Sequence, residues 1–191
     1  LESYVSTQAS PFTDALAYSG LSLLKDSLIP VCTTEGENIE KRAAMAYAAL
    51  VSGITLANAG LGVVHGLASP IGGLFSIPHG VVCGTLVGAE TRVNVEKLRV
   101  QDQGDSVALR KYAEIGALAN GRDFREEDIL PCCDLLIERI DSWTETLAIP
   151  RLSEYGILAS DLDRIARSTG NKNNPVVLTE EEIKALVSMR L

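Results

Sequence analysis

The sequence predicts an all-α protein, a bundle of helices around a shared core. Three observations carry that expectation. Apolar residues recur at helical spacing along most of the chain, helix-starting and helix-stopping residues punctuate those runs, and no segment alternates apolar and polar residues toward a hairpin turn. Val176-Val177-Leu178 and Leu147-Ala148-Ile149 are apolar but too short to count as strands.

Ser10-Pro11 opens the first long helix, a cap residue followed by proline at the first helical position. Leu16, Gly20, Leu24 and Leu28 then repeat every four residues, and Pro30 is expected to stop the helix. A second, Ala-rich helix should run from Ile39 to about Gly60, with Gly60 and Gly62 as breakers. A further apolar helix is predicted from Val81 to about Val93, entered through Pro78-His79-Gly80. Asp105-Ser106 heads the next, through Leu109, Tyr112, Ile115 and Leu118 to a stop at Asn120-Gly121. Ile129, Cys133, Leu136, Ile140, Trp143 and Leu147 mark an amphipathic helix that ends before Pro150. Ser160 with Asp163, and Thr179 with Glu182, read as capping boxes for two short helices. Leu162 and Ile165 belong to the first of these, closed by Gly170 and Asn171, and Ile183 and Leu186 to the second. No repeat of fixed period and no low-complexity tract interrupts the pattern.

Composition narrows the function classes. The 191 residues are 46% hydrophobic and 22% charged, which suits one folded domain and excludes a disordered chain. The net charge is −8, and no cluster of Lys or Arg stands out, so a phosphate-neutralising face for nucleic acid is not expected. The chain opens at Leu1 and its first methionine is Met45, so the sequence reads as part of something longer. The four cysteines lie in no CxxC or Cys/His spacing and read as buried or half-buried thiols of a reduced, cytoplasmic protein.

Charge is unevenly spread. Between Arg42 and Glu90 lie 47 residues without Asp, Glu, Lys or Arg, holding nine of the 16 glycines and both histidines. The first part, Ala43 to Leu61, has the length of a membrane span. Its Ala and Gly content, its polar Ser52, Thr55 and Asn58, and its few leucines argue against insertion. A helix buried all round at the centre of the bundle is the expectation instead.

His65 and His79 are the chemical signal. They stand fourteen residues apart, separated by Pro70, Gly72, Gly73 and Pro78, which enforce a chain reversal. Two imidazoles facing each other across such a turn, each beside a glycine, suit a zinc or iron ion. Buried histidines satisfied by backbone carbonyls would fit the same spacing. Two histidines do not complete a metal site, and no carboxylate lies nearby in sequence.

The run Ala57-Asn58-Ala59-Gly60-Leu61-Gly62-Val63-Val64-His65-Gly66-Leu67-Ala68-Ser69-Pro70-Ile71-Gly72-Gly73, followed by Ile77-Pro78-His79-Gly80, closely resembles the signature of iron-containing (group III) alcohol dehydrogenases. Glu2-Ser3-Tyr4-Val5-Ser6, Ser10-Pro11 and Thr13-Asp14-Ala15-Leu16-Ala17 resemble the opening of that family's C-terminal domain, and Asn174-Pro175 with Leu178-Thr179 resemble its end.

The resemblance implies an all-helical, dehydroquinate synthase-like metal-binding domain spanning 1–191. An α/β domain for NAD or NADP would precede it and is absent from this sequence. It also implies a divalent metal, iron or zinc, held in the cleft by one Asp and three His. His65 and His79 would be the last two ligands, and the first two would lie ahead of Leu1. Where the family commonly carries a second histidine near the nicotinamide, this chain has Ser69, a candidate for proton relay or a packing residue. Hydride exchange between a nicotinamide and a small alcohol or carbonyl substrate follows, with the 191 residues inactive alone. The full-length protein is expected to be a homodimer without nucleic-acid or membrane partners. A glycerol dehydrogenase, a maleylacetate reductase and a non-catalytic helical interaction module are the alternatives.

Overall fold

The computed structural model describes residues 1–101 and 106–191, and among them every regular element is a helix. α1 is a single turn, Glu2–Val5, and α2 spans Pro11–Thr33. α3 is Ile39–Ala59, α4 Val63–Leu74, α5 His79–Gln101 and α6 Val107–Ala119. α7 is Ile129–Thr146, α8 Leu162–Arg167 and α9 Glu180–Ser188, with short 3-10 turns between α6 and α8.

Local chemistry accounts for most starts. Ser10 accepts from the Thr13 N–H while Thr13 returns a bond to the Ser10 N–H at 2.8 Å, with Pro11 at the first position. Ser106 caps α6 and Thr179 caps α9, the latter with the expected return bond to Glu182. Asp105 falls outside the described residues.

Four expectations need correction. Pro30 does not end α2, which continues to Thr33. A proline so near the C-terminus forfeits only the bond to the carbonyl four residues back, and the last turn closes through Thr34 N–H to Pro30 O at 3.0 Å. The apolar helix placed at Val81 to Val93 starts at His79 and extends to Gln101. Its last turns are polar because they bind neighbours through ions, Lys97 to Glu182 and Arg99 to Asp134, both at 2.6 Å. Ser160 and Asp163 form no capping box. Leu158 N–H bonds the Asp161 carboxylate instead, at 2.9 Å, and Asp163 pairs with Lys184 at 2.6 Å.

The fourth correction concerns the centre. α3, free of charged residues from Ala43 on, is peripheral, burying only the stripe Ala48, Val51, Thr55 and Ala59. That stripe faces α2, where Gly20 lets the helices close; a Cβ there would lie 2.5 Å from Val51 Cγ2. Leu50 and Leu56 on the other side are 63% and 46% exposed. The central helix is α5, which buries Val82, Leu86, Ala89, Val95 and Leu98 together with Glu90, Thr91 and Asn94. Absence of charge marked the wrong helix because burial follows contact on every side, and α5 meets α4, α6, α7 and α9. Arg190 ties the C-terminus to this centre through Thr85 Oγ1 at 2.9 Å and Ile149 O at 3.0 Å. Among the described residues no single helix is long and apolar enough to cross a membrane, and α3 and α4 together are bent by 98°.

Two glycines make opposite predictions. A Cβ on Gly116 of α6 would sit 1.9 Å from the Cys132 carbonyl oxygen of α7, whereas one on exposed Gly53 of α3 would meet nothing within 4 Å. Gly116→Ala should cost about 1–3 kcal/mol in overpacking. Gly53→Ala should add about 0.5–1 kcal/mol of helix stability. Thermal or urea unfolding of the two variants checks both signs.

Candidate metal centre

α4 and α5 form a hairpin whose reversal runs through Phe75 to Pro78. His65 lies in the first turn of α4 and His79 is the first residue of α5. The hairpin brings their rings together, with centroids 5.3 Å apart and planes inclined by 55°. Cys83 stands one turn after His79 on the same helix face. Its Sγ lies 3.5 Å from His79 Nε2 and 3.7 Å from His65 Nε2. His65 and Cys83 are half-buried, and His79 is exposed.

A carboxylate 63 residues from His65 in sequence completes the arrangement. Glu2, buried on α1, accepts the Val64 N–H through Oε1 at 2.9 Å and holds His65 Nδ1 with Oε2. The N-terminus of α4 carries unpaired N–H groups and the positive end of the helix dipole, so an anion there is favourable. Asn174 supplies the neighbouring cap, accepting the Val63 N–H at 3.3 Å. The glycines of the His65 segment make room for these contacts. Gly60 has φ +69°, a Cβ on Gly62 would lie 2.7 Å from Asn174 Oδ1, and one on Gly66 would lie 2.0 Å from the Gly170 carbonyl.

The electrostatics follow from the contacts. The Cys83 sulfur and the Glu2 carboxylate both favour the protonated ring, so the His65 imidazole is pushed up to about 9. With Nδ1 held by Glu2, Nε2 of His65 is the ring atom turned toward Cys83. The group fits a divalent metal: one ring nitrogen from each of His65 and His79 and the Cys83 Sγ all lie within 4.8 Å of one another. Behind them is a cavity of about 210 Å³, reached by Glu2, Leu21, Leu24, Val51, Val64 and Val87.

Ser69 is one turn beyond His65 on α4 and is exposed. The structure brings together the two histidines that the sequence singles out. Sequence spacing missed Glu2, for which a separation of 63 residues offers no signal, and it missed Cys83, although the four-residue step from His79 was there to be read. Cys83 is therefore not an isolated thiol. Cys32 is exposed rather than buried, while Cys132 and Cys133 are buried as expected.

A second polar cluster lies deeper on α5. Asn94 donates to Glu90 Oε1 at 2.5 Å and to Tyr112 Oη at 3.0 Å, and Asn174 donates to Asn94 Oδ1 at 2.8 Å. Glu90 is fully buried, and burial, reinforced by the negative Glu2, raises its carboxyl well above the usual range.

A helical unit that gathers two imidazoles and a thiol at one cleft, with a carboxylate behind, has the features of a metal-binding domain. Residues 1–191 match the family model described as Fe-containing alcohol dehydrogenase family, C-terminal. The chain belongs to the iron-containing alcohol dehydrogenase family and corresponds to the C-terminal part of its members. It is 30% identical over 192 residues to alcohol dehydrogenase 4 of Saccharomyces cerevisiae, covering 98% of this chain and 46% of that protein. It is 31% identical over 191 residues to 1,3-propanediol dehydrogenase of Klebsiella pneumoniae, with coverage of 97% and 46%. The crystal structure of a 1,3-propanediol oxidoreductase superposes with a TM-score of 0.86 at 31% identity, covering all of this chain and 48% of the other. The chain thus spans about half the length of the relatives it matches.

The buried carboxyl has a pH signature. Glu90 binds its proton more tightly folded than unfolded, so between its ordinary value of 4.5 and its raised value of about 8 the folded state holds more protons. Stability from this group is present at low pH and falls as pH rises through that window. Glu90→Gln should flatten the fall, so that the variant gains on the wild type from pH 5 to pH 8 in urea titrations. A gap between the two proteins that is constant over that range would count against a raised Glu90.

Proposed function

We propose that this chain is the metal-holding part of an NAD(P)-dependent alcohol dehydrogenase that interconverts small alcohols with aldehydes or ketones. The observation that carries the reading is the convergence of His65 and His79 across the α4–α5 hairpin, with Glu2 fixing the orientation of His65. Family membership supports the same chemistry, since the curated relatives are named for oxidations of methanol, propanol, butanol and propanediol.

In this reading Nε2 of His65 and Nε2 of His79 hold a divalent metal. When bound, such an ion acts as a Lewis acid toward a substrate oxygen. Glu2 accepts the Nδ1 proton of His65, which fixes the tautomer and keeps the donor lone pair on Nε2. Leu21, Leu24, Val51 and Val87 line the adjoining cavity and limit water around the reacting oxygen. Ser69, exposed one turn from His65, offers a hydroxyl that passes a proton between substrate and solvent. It does not titrate near neutral pH, so it relays rather than stores the proton. A bound nicotinamide would supply the hydride acceptor for the alcohol carbon, while Ser69 and solvent would take the hydroxyl proton, and the reverse would reduce the carbonyl. No GxGxxG turn lies in these residues, so the nucleotide is bound mainly by another part of the protein, and residues 1–191 alone turn over no substrate.

The test is made on the protein at its full natural length. Metal analysis should find a stoichiometric divalent ion, lost together with NAD(P)-dependent alcohol oxidation in His65→Ala. Glu2→Gln should keep the ligands but weaken metal binding by roughly 10- to 100-fold, as loss of a ligand-orienting partner does. A wild-type protein without metal, and a His65→Ala variant of undiminished activity, would sink the reading.

A further inference from the structure

We propose that Cys83 is a metal ligand, a thiolate that joins His65 and His79 on one face of the ion and biases the site toward zinc over iron. The proposal rests on the metal reading above and adds a donor to it.

The distances carry the argument. A tetrahedral zinc ion keeps sulfur at about 2.3 Å and imidazole nitrogen at about 2.0–2.1 Å, which sets the S···N edge of the tetrahedron near ~3.6 Å. Cys83 Sγ stands 3.5 Å from His79 Nε2 and 3.7 Å from His65 Nε2, on both sides of that edge length. The three donor atoms converge within 4.8 Å of one another and come from the two arms of one hairpin, α4 and α5.

Cys83 Sγ contacts two ring nitrogens at near-equal distance. With Glu2 on Nδ1 of His65, loss of the Nε2 proton and of the thiol proton to an arriving cation would leave two imidazole nitrogens and one thiolate sulfur facing a single point. The step His79 to Cys83 also has the one-turn spacing by which a helix presents two ligands to one ion.

The other cysteines supply the contrast. Cys133 donates to the Leu109 carbonyl at 3.4 Å and its thiol is pushed up to about 12 by burial, as expected of a packing residue. Cys32 is exposed and Cys132 buried. Cys83 alone of the four meets an imidazole, and it is half-buried beside exposed His79, open to an arriving ion. Thiolate is a soft ligand and favours zinc or cobalt over harder ions, while an all-imidazole and carboxylate site accommodates iron equally well.

Cobalt(II) in the full-length protein provides the probe. The wild type should show a thiolate-to-cobalt charge-transfer band in the near ultraviolet, and Cys83→Ser should bind cobalt without it. Zinc affinity of Cys83→Ser should fall by at least about tenfold, the lower end of what loss of a supporting partner costs. X-ray absorption of the zinc-loaded wild type needs no variant and should show one sulfur at about 2.3 Å. Cobalt bound with no such band, or a zinc shell of nitrogen and oxygen only, overturns the proposal and leaves the metal reading standing. A wild type that binds neither ion overturns both.

Discussion

The structure depends on one carboxylate. Glu2 is buried on α1 against the start of α4, and it satisfies two demands at once. One is general to helices: the first N–H groups of α4 point into the protein and need an acceptor. The other is particular to this cleft: the ring of His65 needs its Nδ1 held if Nε2 is to face His79 and Cys83. A single side chain answering both couples the seating of α4 to the aim of the imidazole. Asn174, near the end of the chain, caps the adjacent N–H and also bonds Asn94 on α5. The two ends of the sequence are therefore drawn onto the hairpin that carries the histidines.

The glycines of the His65 segment belong to the same constraint. Glu2 and Asn174 reach the backbone of α4 only because Gly62 has no side chain in their path, and the loop after α8 closes on Gly66 for the same reason. Gly72, Gly73 and Gly80 have nothing near them, so the segment mixes glycines required by close approach with glycines that only loosen the turn. The spacing His65 to His79 is set by the length of this hairpin rather than by any local ligand motif, which is why the number fourteen has no meaning apart from the fold.

What was legible in the sequence and what was not divides along contact distance. Caps formed within four residues were read correctly at Ser10, Ser106 and Thr179, because partner and acceptor lie on one turn. The box at Ser160 failed although it is equally local, since Lys184 from another helix takes Asp163 and Asp161 caps in its place. The centre of the bundle was misread for a similar reason. Hydropathy pointed to α3, but α5 tolerates Glu90 and Asn94 at its core because Tyr112 and Asn174, 18 and 80 residues from Asn94, complete their hydrogen bonds. Glu2 lies beyond the reach of any periodicity. Cys83 does not: its four-residue step from His79 is one helical turn, but without a CxxC or a second nearby ligand in sequence that step alone gives no metal signal.

The charge-free stretch gains a physical reason from the same geometry. Between Arg42 and Glu90 there is no Asp, Glu, Lys or Arg, so the carboxylate brought to the imidazoles is the one that α1 delivers. Glu90 lies deeper on α5, but burial favours its neutral form and Asn94 and Tyr112 engage it. A cation among the donors of His65, His79 and Cys83 would thus face one nearby carboxylate, Glu2, beside the sulfur that binds it, in a surrounding of low polarity. In such a setting each ligand and each misplaced charge carries more weight than it would at a wet surface. An additional Lys near the hairpin would oppose the ion, and an additional Asp would compete for it or draw His65 away from Glu2. Excluding both over 47 consecutive residues preserves the influence of the one carboxylate that the fold positions.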